Sequence, residues 1–126
     1  MQRDLLRLVE LLEAADHLGR ALDGVDFERF TNDAELRDST LWRLMKVGEA
    51  SVQLSEELRG RHPETEWHRA IGFRNRIVHG YFDLDLEVVY RTATDSVPIL
   101  ANQVRLLVGE EFPSFPNDLP TPGDEP

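Results

Sequence analysis

The chain lacks cysteine altogether, and it has no long run of apolar residues. The absence of thiols excludes a disulfide scaffold, a thiolate zinc site and a cysteine nucleophile, and it fits a reducing compartment. No stretch approaches the roughly 18 apolar residues that a membrane-spanning helix needs. The N-terminal MQRDLLRLVELL has no uncharged apolar core of the kind that a secretion signal contains. We therefore expect a soluble, cytoplasmic protein that does not act at a membrane.

Positive charge is also scarce, because 14 lysines and arginines face 24 acidic residues and leave a formal net charge of −10. This balance argues against a general nucleic-acid binder, which needs a broad basic surface. The exception is residues 67–82, WHRAIGFRNRIVHGYF, which contain three arginines, two histidines and no acid. We call these residues the basic stretch. A local cluster of this kind can still draw a polyanion into one small site.

Apolar residues recur at helical spacing in four segments, and no segment shows the alternation typical of a strand. The spacing predicts helices over 3–22, 33–60 and 64–79, and a fourth that starts after Asp83 or Asp85 and ends near Val108. Gly48, within the second segment, predicts the close approach of a neighbouring helix, because glycine otherwise weakens a helix by about 1 kcal/mol. Pro98 predicts a kink or a lost backbone hydrogen bond in the fourth.

Together these segments predict an all-α fold, an antiparallel helical bundle of four to five helices over residues 1–108. The composition changes after that point. Residues 109–126 contain five of the seven prolines and no basic residue. We expect this proline-rich tail to be a separate, disordered segment.

Arg74 and His79 are the residues of the basic stretch best suited to chemistry. A histidine can take up or release a proton near neutral pH, and an arginine can bind a phosphate and stabilise charge that develops on it. Metal-free RNA cleavage needs these two parts, a base for the ribose 2′-hydroxyl and a cation for the phosphorane. Five helical positions separate the two side chains by about 140°. They face each other only if the helix ends between them or if a second copy of the chain supplies the partner.

The segment WxxxIGFRNRIVHGY at residues 67–81 resembles the HepT-like branch of the HEPN superfamily. The R-x4-H-x-Y motif of that branch is matched in full by Arg74, His79 and Tyr81. Three further pieces are similar to the family, namely LRLVELLEA in the first helix, VGEA at residues 47–50 and SEELR before the next turn. The resemblance therefore covers about residues 3–108 and leaves out the tail.

The resemblance implies a HEPN-like homodimer, with the motif lining a cleft near the dimer interface. It implies a metal-independent endoribonuclease that stops growth as the toxin of a type II toxin–antitoxin pair, with Arg74 and His79 as catalytic residues. The implied partner is an MNT-type nucleotidyltransferase antitoxin, which uses ATP to attach AMP to Tyr81; the toxin itself needs no cofactor. The added phosphodiester would repel and occlude RNA at the motif.

The residues around the motif allow more than one interpretation. Asn75 can touch the substrate or orient His79, and Arg76 can bind a phosphate or lie on a solvated face. The alternating acids of residues 83–87 are explained by helix capping, so we expect no metal site.

Outside the motif, Lys46 and Glu49 are expected to form an exposed helix pair, and Trp42 and Trp67 to lie in the core or in a dimer interface. An alternative function is a non-catalytic helical partner of a nucleotidyltransferase, in which the basic stretch would bind the nucleotide. A plain dimeric scaffold, for which the basic stretch would be incidental, is the third hypothesis.

Overall fold

A computed structural model describes residues 2–116, and this part of the chain is helical without a strand. The helices are α1 (Gln2–Ala21), α2 (Phe27–Thr31), α3 (Ala34–Gln53), α4 (Glu56–Arg61), α5 (Trp67–Gly80), α6 (Leu86–Arg91) and α7 (Val97–Glu111). A 3-10 turn, Tyr81–Asp83, follows α5, and a π-helical turn, Thr92–Ser96, joins α6 to α7. The predicted all-α bundle is confirmed. Most of the predicted tail, residues 117–126, lies outside the described residues.

The core forms where α1 packs against α3 and α7 and where α5 packs against α3, and buried residues of all four helices share it. Leucines at helical spacing on α1 supply its most buried part, and each full burial contributes about 1.5–3 kcal/mol. The fully buried residues of α1 are Leu5, Leu8, Leu11 and Leu18. Trp67, at the start of α5, is 5% exposed and belongs to the same core. The position of α5 is therefore determined by α3 and by its own first residue.

The second predicted helix, residues 33–60, is wrong as a single element, because the chain leaves the helical conformation at Leu54. Asp4 of α1, which is 5% exposed, accepts hydrogen bonds from the backbone N–H of Ser55 at 2.8 Å and from its hydroxyl at 2.7 Å. The Ser55 Oγ in turn accepts from the N–H of Leu58 and caps α4. The break therefore depends on a residue 51 positions away, which no local pattern shows.

The fourth predicted helix begins after Asp85, whose carboxylate accepts from the N–H of Glu87 at 2.9 Å. This confirms the capping interpretation for Asp85, and Glu87 lies in the first turn of the helix that Asp85 caps. Pro98 lies at the second position of α7, directly after the π turn. A proline has no N–H to donate to the preceding turn. The irregularity predicted at Pro98 is present in the structure as the π-helical turn directly before α7. The helix then runs to Glu111, three residues past the predicted Val108.

The loop that leads into α5 is fastened to the end of α7 through Glu111. Arg61 donates to both carboxylate oxygens, with Nε at 3.0 Å and Nη2 at 2.9 Å, and His62 Nε2 lies 2.7 Å from Oε2. These hydrogen bonds, from Arg61 first and His62 second, lower the pKa of Glu111 to about 2. The His62 carbonyl also accepts from the Trp67 indole N–H at 3.0 Å. The ends of α4 and α7 are thereby joined at the point where α5 begins.

We predict that Glu111→Gln lowers the stability of the protein at neutral pH. The variant should also lose less stability than the parent when the pH is lowered. A carboxylate whose folded pKa is lowered from 4.5 to about 2 stabilises the fold above pH 4.5, and this stabilisation is lost as the pH falls from 4.5 towards 2. Urea unfolding of the parent and the variant between pH 7 and pH 2.5 measures the difference. Glu110→Gln, at the exposed neighbouring position, is the control. Equal pH profiles for the parent and Glu111→Gln would contradict the prediction.

Candidate functional site

Helix α5 places most basic side chains of the basic stretch on its solvent side, because its apolar residues Trp67, Phe73 and Ile77 bury the opposite side. The exposed residues of the helix include His68, Arg69, Gly72, Asn75, Arg76 and His79. Their spacing follows the helical period, so they form one continuous outer face. Asn75, Arg76 and His79 lie together towards the C-terminal end of this face. Of the residues proposed from the sequence, Arg74 and Tyr81 do not belong to this outer face, because both contact α3.

Arg74 turns from α5 towards α3, where its side chain is 28% exposed. Its Nε donates to Glu49 Oε2 at 3.1 Å, and its Nη2 lies 3.0 Å from the same oxygen. Its Nη1 donates to Asn75 Oδ1 at 2.8 Å. The guanidinium is therefore held by one residue of α3 and by its own neighbour in the chain.

Gly48 lies directly beneath Arg74 and permits this contact. A Cβ built on Gly48 would lie 2.3 Å from the Arg74 Cβ and 2.8 Å from the backbone oxygen of Ala70. Both distances are shorter than atoms tolerate, so only glycine allows α3 and α5 to pack this closely. The close approach predicted from Gly48 is confirmed, and the neighbouring helix is the one with the basic stretch.

His79 is exposed, and its imidazole has no hydrogen-bond partner among residues 2–116. Helix α5 continues through it to Gly80, so the helix does not end between Arg74 and His79. The two side chains are about 140° apart around the axis and about 7.5 Å apart along it. Asn75, four positions before His79, shares the face of His79 and hydrogen bonds to Arg74. Within one chain, Asn75 therefore contacts Arg74 and lies on the same helix face as His79.

Tyr81 begins the 3-10 turn that follows α5 and is 47% exposed. Its hydroxyl donates to Asp38 Oδ1 of α3 at 3.5 Å, and its ring meets the edge of Phe82, with ring centres 5.6 Å apart. The phenol oxygen therefore lies at the surface beside one carboxylate, where it is open to another molecule.

An apolar surface extends between Arg74 and Tyr81. Trp42 is 63% exposed and Val78 47% exposed, and with Met45 and Tyr81 they line a shallow groove between α3 and α5. Trp42 is therefore not part of the core of this chain, whereas Trp67 is. We call Trp42, Met45, Val78 and Tyr81 the apolar groove.

Sequence reasoning missed the two acids that α3 brings to the motif, Glu49 and Asp38. Glu49 was expected to pair with Lys46, and this was wrong: the structure pairs Glu49 with Arg74 and gives Lys46 no ion pair within residues 2–116. The signal that could have found Glu49 is Gly48, the residue before it. A glycine that permits a close contact between two helices also brings the next side chain within reach of the neighbouring helix.

Comparison with known proteins assigns the chain to a family. Residues 11–107 match the family described as ribonuclease HepT-like. This chain belongs to the HepT-like ribonuclease family. The family assignment agrees with the resemblance noted from the motif, and it supports ribonuclease activity in general.

Individual relatives of the family are moderately similar and of matching length. An RNase candidate of Caldanaerobacter subterraneus subsp. tengcongensis is 28% identical over 104 residues, 82% of this chain and 93% of the relative. An RNase candidate of Methanocaldococcus jannaschii is 26% identical over 79% of this chain and 92% of its own length. A ribonuclease HepT candidate of Thermococcus cleftensis is 26% identical over 79% and 91%. No solved structure matches the chain significantly.

Residues 2–116 contain neither a candidate membrane span nor a candidate metal site. None of the helices there has the length and apolar character needed to cross a membrane. In the same range, no three side chains of His, Asp or Glu gather as metal ligands would.

We predict that Gly48→Ala destabilises the protein by about 1–3 kcal/mol, because the added methyl group overpacks the contact between α3 and α5. The matched control is Gly72→Ala on α5, where a Cβ would meet no atom within 4 Å. That change is expected to be neutral or to stabilise by up to about 1 kcal/mol through helix propensity. Urea unfolding of both variants measures the difference. Equal stability of the two would contradict the close approach.

Proposed function

We propose that the protein is a metal-independent endoribonuclease with Arg74 and His79 as its catalytic residues. The main support is their arrangement in a chain of the HepT-like family: a histidine with no hydrogen-bond partner within residues 2–116 lies at the surface, one helical turn from an asparagine that contacts the arginine. An unpaired imidazole is free to take a proton from a substrate. A guanidinium held in one orientation can bind a phosphate without first being ordered.

In the proposed reaction His79 removes the proton of a ribose 2′-hydroxyl, and the 2′-oxygen attacks the adjacent phosphorus. Negative charge grows on the phosphoryl oxygens, and Arg74 stabilises it through N–H groups directed at them. The bond from phosphorus to the 5′-oxygen breaks, and that oxygen takes up a proton from solvent. The products are a 2′,3′-cyclic phosphate and a free 5′-hydroxyl.

Asn75 and Arg76 have supporting roles in this proposal. Asn75 accepts a hydrogen bond from Arg74 and shares the face of His79, so it can hold the guanidinium at the side from which RNA approaches. Arg76 is exposed and has no ion pair within residues 2–116. It is placed to bind a neighbouring phosphate of the RNA chain.

We further propose that the protein acts as a homodimer. One continuous α5 keeps Arg74 and His79 about 140° apart, so a second copy is the remaining way to bring the two residue types to one phosphate. The apolar groove supports this, because large exposed apolar surfaces are typical of interfaces. It includes Val78, one helical turn after Arg74, and it ends at Tyr81, so a subunit contact there would build a cleft close to Arg74.

The cellular role that we propose is that of the toxin in a type II toxin–antitoxin pair. A nucleotidyltransferase antitoxin would use ATP to attach AMP to the Tyr81 hydroxyl, with release of pyrophosphate. The half exposure of Tyr81 makes the oxygen reachable. Tyr81 lies two residues after His79 and, like Arg74, faces α3, so an attached AMP would add a phosphodiester to the motif on the Arg74 side of α5. The new negative charge and bulk would exclude RNA from the site.

We predict that His79→Ala and Arg74→Ala each lower RNA cleavage by about 100-fold or more, the range expected when a general base or a phosphate-stabilising group is lost. Unmodified protein is incubated with total RNA and a chelator, and the ends of the products are mapped. His68→Ala and Arg69→Ala are the controls, since both side chains are exposed on the same helix. They are expected to cleave like the parent.

The outcomes of this experiment separate the functions considered. Parent-like cleavage by His79→Ala would overturn the mechanism. If the parent cleaved RNA without the chelator but not with it, metal independence would be overturned. Intact RNA with the parent, in protein whose mass excludes AMP on Tyr81, would favour the alternative of a non-catalytic partner of a nucleotidyltransferase.

We predict that Tyr81→Phe abolishes the attachment of AMP and leaves RNA cleavage within about threefold of the parent, because only the acceptor oxygen is lost. Mass spectrometry after co-expression with a nucleotidyltransferase of the same genome measures the modification. Tyr90→Phe is the matched control, since the Tyr90 hydroxyl is already engaged with the Val25 carbonyl at 2.7 Å. AMP on the Tyr81→Phe protein would show that another residue is the acceptor.

A further inference from the structure

Glu49 is fixed from two sides on the surface of α3. Its Oε2 accepts from Arg74 Nε at 3.1 Å and lies 3.0 Å from Arg74 Nη2. Its Oε1 accepts from Gln53 Nε2 at 3.1 Å, one helical turn further along. The contacts continue from Arg74 to Asn75 at 2.8 Å. Four side chains therefore form one hydrogen-bonded row that runs from α3 to the outer face of α5.

The row leaves Arg74 with a defined set of free donors. A guanidinium has five N–H groups. The edge that contains Nε and Nη2 faces Glu49, and one N–H of Nη1 is used by Asn75. The second N–H of Nη1 and the outer N–H of Nη2 remain for a ligand. Each of these two N–H groups can donate a charge-assisted hydrogen bond to a phosphate oxygen.

We propose that Glu49 is a positioning residue that orients the Arg74 guanidinium for phosphate; this rests on the proposed ribonuclease function. Glu49 itself does not touch RNA in this proposal. It fixes the plane of a long side chain that would otherwise have many rotamers. Gly48 makes the contact possible, because it lets the two helices approach until Glu49 reaches Arg74.

A different role for Glu49 would have the opposite effect. A carboxylate beside an arginine also competes with phosphate for it and lowers the local positive charge. If Glu49 acted mainly in this way, its removal would speed RNA cleavage. If Glu49 positions Arg74, its removal slows cleavage, although the site becomes more positive. The direction of the change therefore distinguishes the two roles.

The decisive comparison is Glu49→Gln against Glu49→Ala. Both variants remove the negative charge equally, but only glutamine keeps an oxygen that can accept from Arg74. We expect Glu49→Ala to have a kcat for RNA cleavage at least tenfold below that of Glu49→Gln, with a smaller change in KM. Glu35→Ala, an exposed acid in the first turn of the same helix, is the control and should match the parent. Equal kcat values for the two Glu49 variants, or faster cleavage by Glu49→Ala, would overturn the proposal.

A second measurement is independent of activity. The Nε–H signal of Arg74 can be observed in ¹⁵N–¹H spectra of the full chain and assigned by its loss in Arg74→Lys. We expect this proton to exchange slowly with water in the parent and in Glu49→Gln. In Glu49→Ala it should exchange rapidly. Unchanged exchange in Glu49→Ala would overturn the contact. If the parent left RNA intact while the signal behaved as expected, the ribonuclease function would fail and the contact would stand. If the parent cleaved RNA and the two Glu49 variants cleaved equally, only the positioning role would fail.

Discussion

The close packing of α3 against α5 at Gly48 is the constraint on which the rest of the site depends. No Cβ fits there, because it would meet the Arg74 Cβ at 2.3 Å. The antiparallel helices then bring one face of α3 along the motif, so that Glu49 reaches Arg74 and Asp38 reaches Tyr81. Without this approach, neither acid would touch the residue that it now contacts. The contact that stabilises the bundle is therefore the same contact that arranges the proposed chemistry.

The sequence predicted what depends on local spacing and missed what depends on distant partners. Apolar periodicity located the long helices because it repeats within a few residues. A cap at Asp83 or Asp85 was predictable because capping is local, and the structure shows that Asp85 is the cap. The break at Leu54 was missed because Asp4, far away in the chain, holds Ser55. For the same reason Glu49 was assigned to a neighbour on its own helix. The positions of the proposed site residues followed from the motif and its helical spacing, but their contacts with α3 did not.

The geometry of α5 explains why one chain presents only part of the proposed site. A regular helix fixes the angle between positions five apart, and no change of side-chain rotamer alters the positions of the two Cβ atoms. Asn75, on the face of His79, accepts a hydrogen bond from Arg74. The guanidinium of Arg74 and the imidazole of His79 nevertheless point in different directions. The exposed apolar groove lies where a second copy would have to pack in order to supply the missing partner. In the proposed dimer, the apolar groove and the separation of Arg74 from His79 would be resolved by the same subunit contact.

The charge distribution indicates how such a site would select RNA. Within the basic stretch, Arg69 lies 3.7 Å from Glu66 and Arg74 is paired with Glu49, so acids from outside the stretch neutralise part of its charge. With a net charge of −10, the protein has little general attraction for a polyanion. Binding would then depend on a few directed donors rather than on bulk charge, and few counterions would be released. In the proposed reaction, such a site would act on RNA only where a phosphate and its neighbouring 2′-hydroxyl fit Arg74 and His79 together, and the proposed negative group on Tyr81 would oppose that fit.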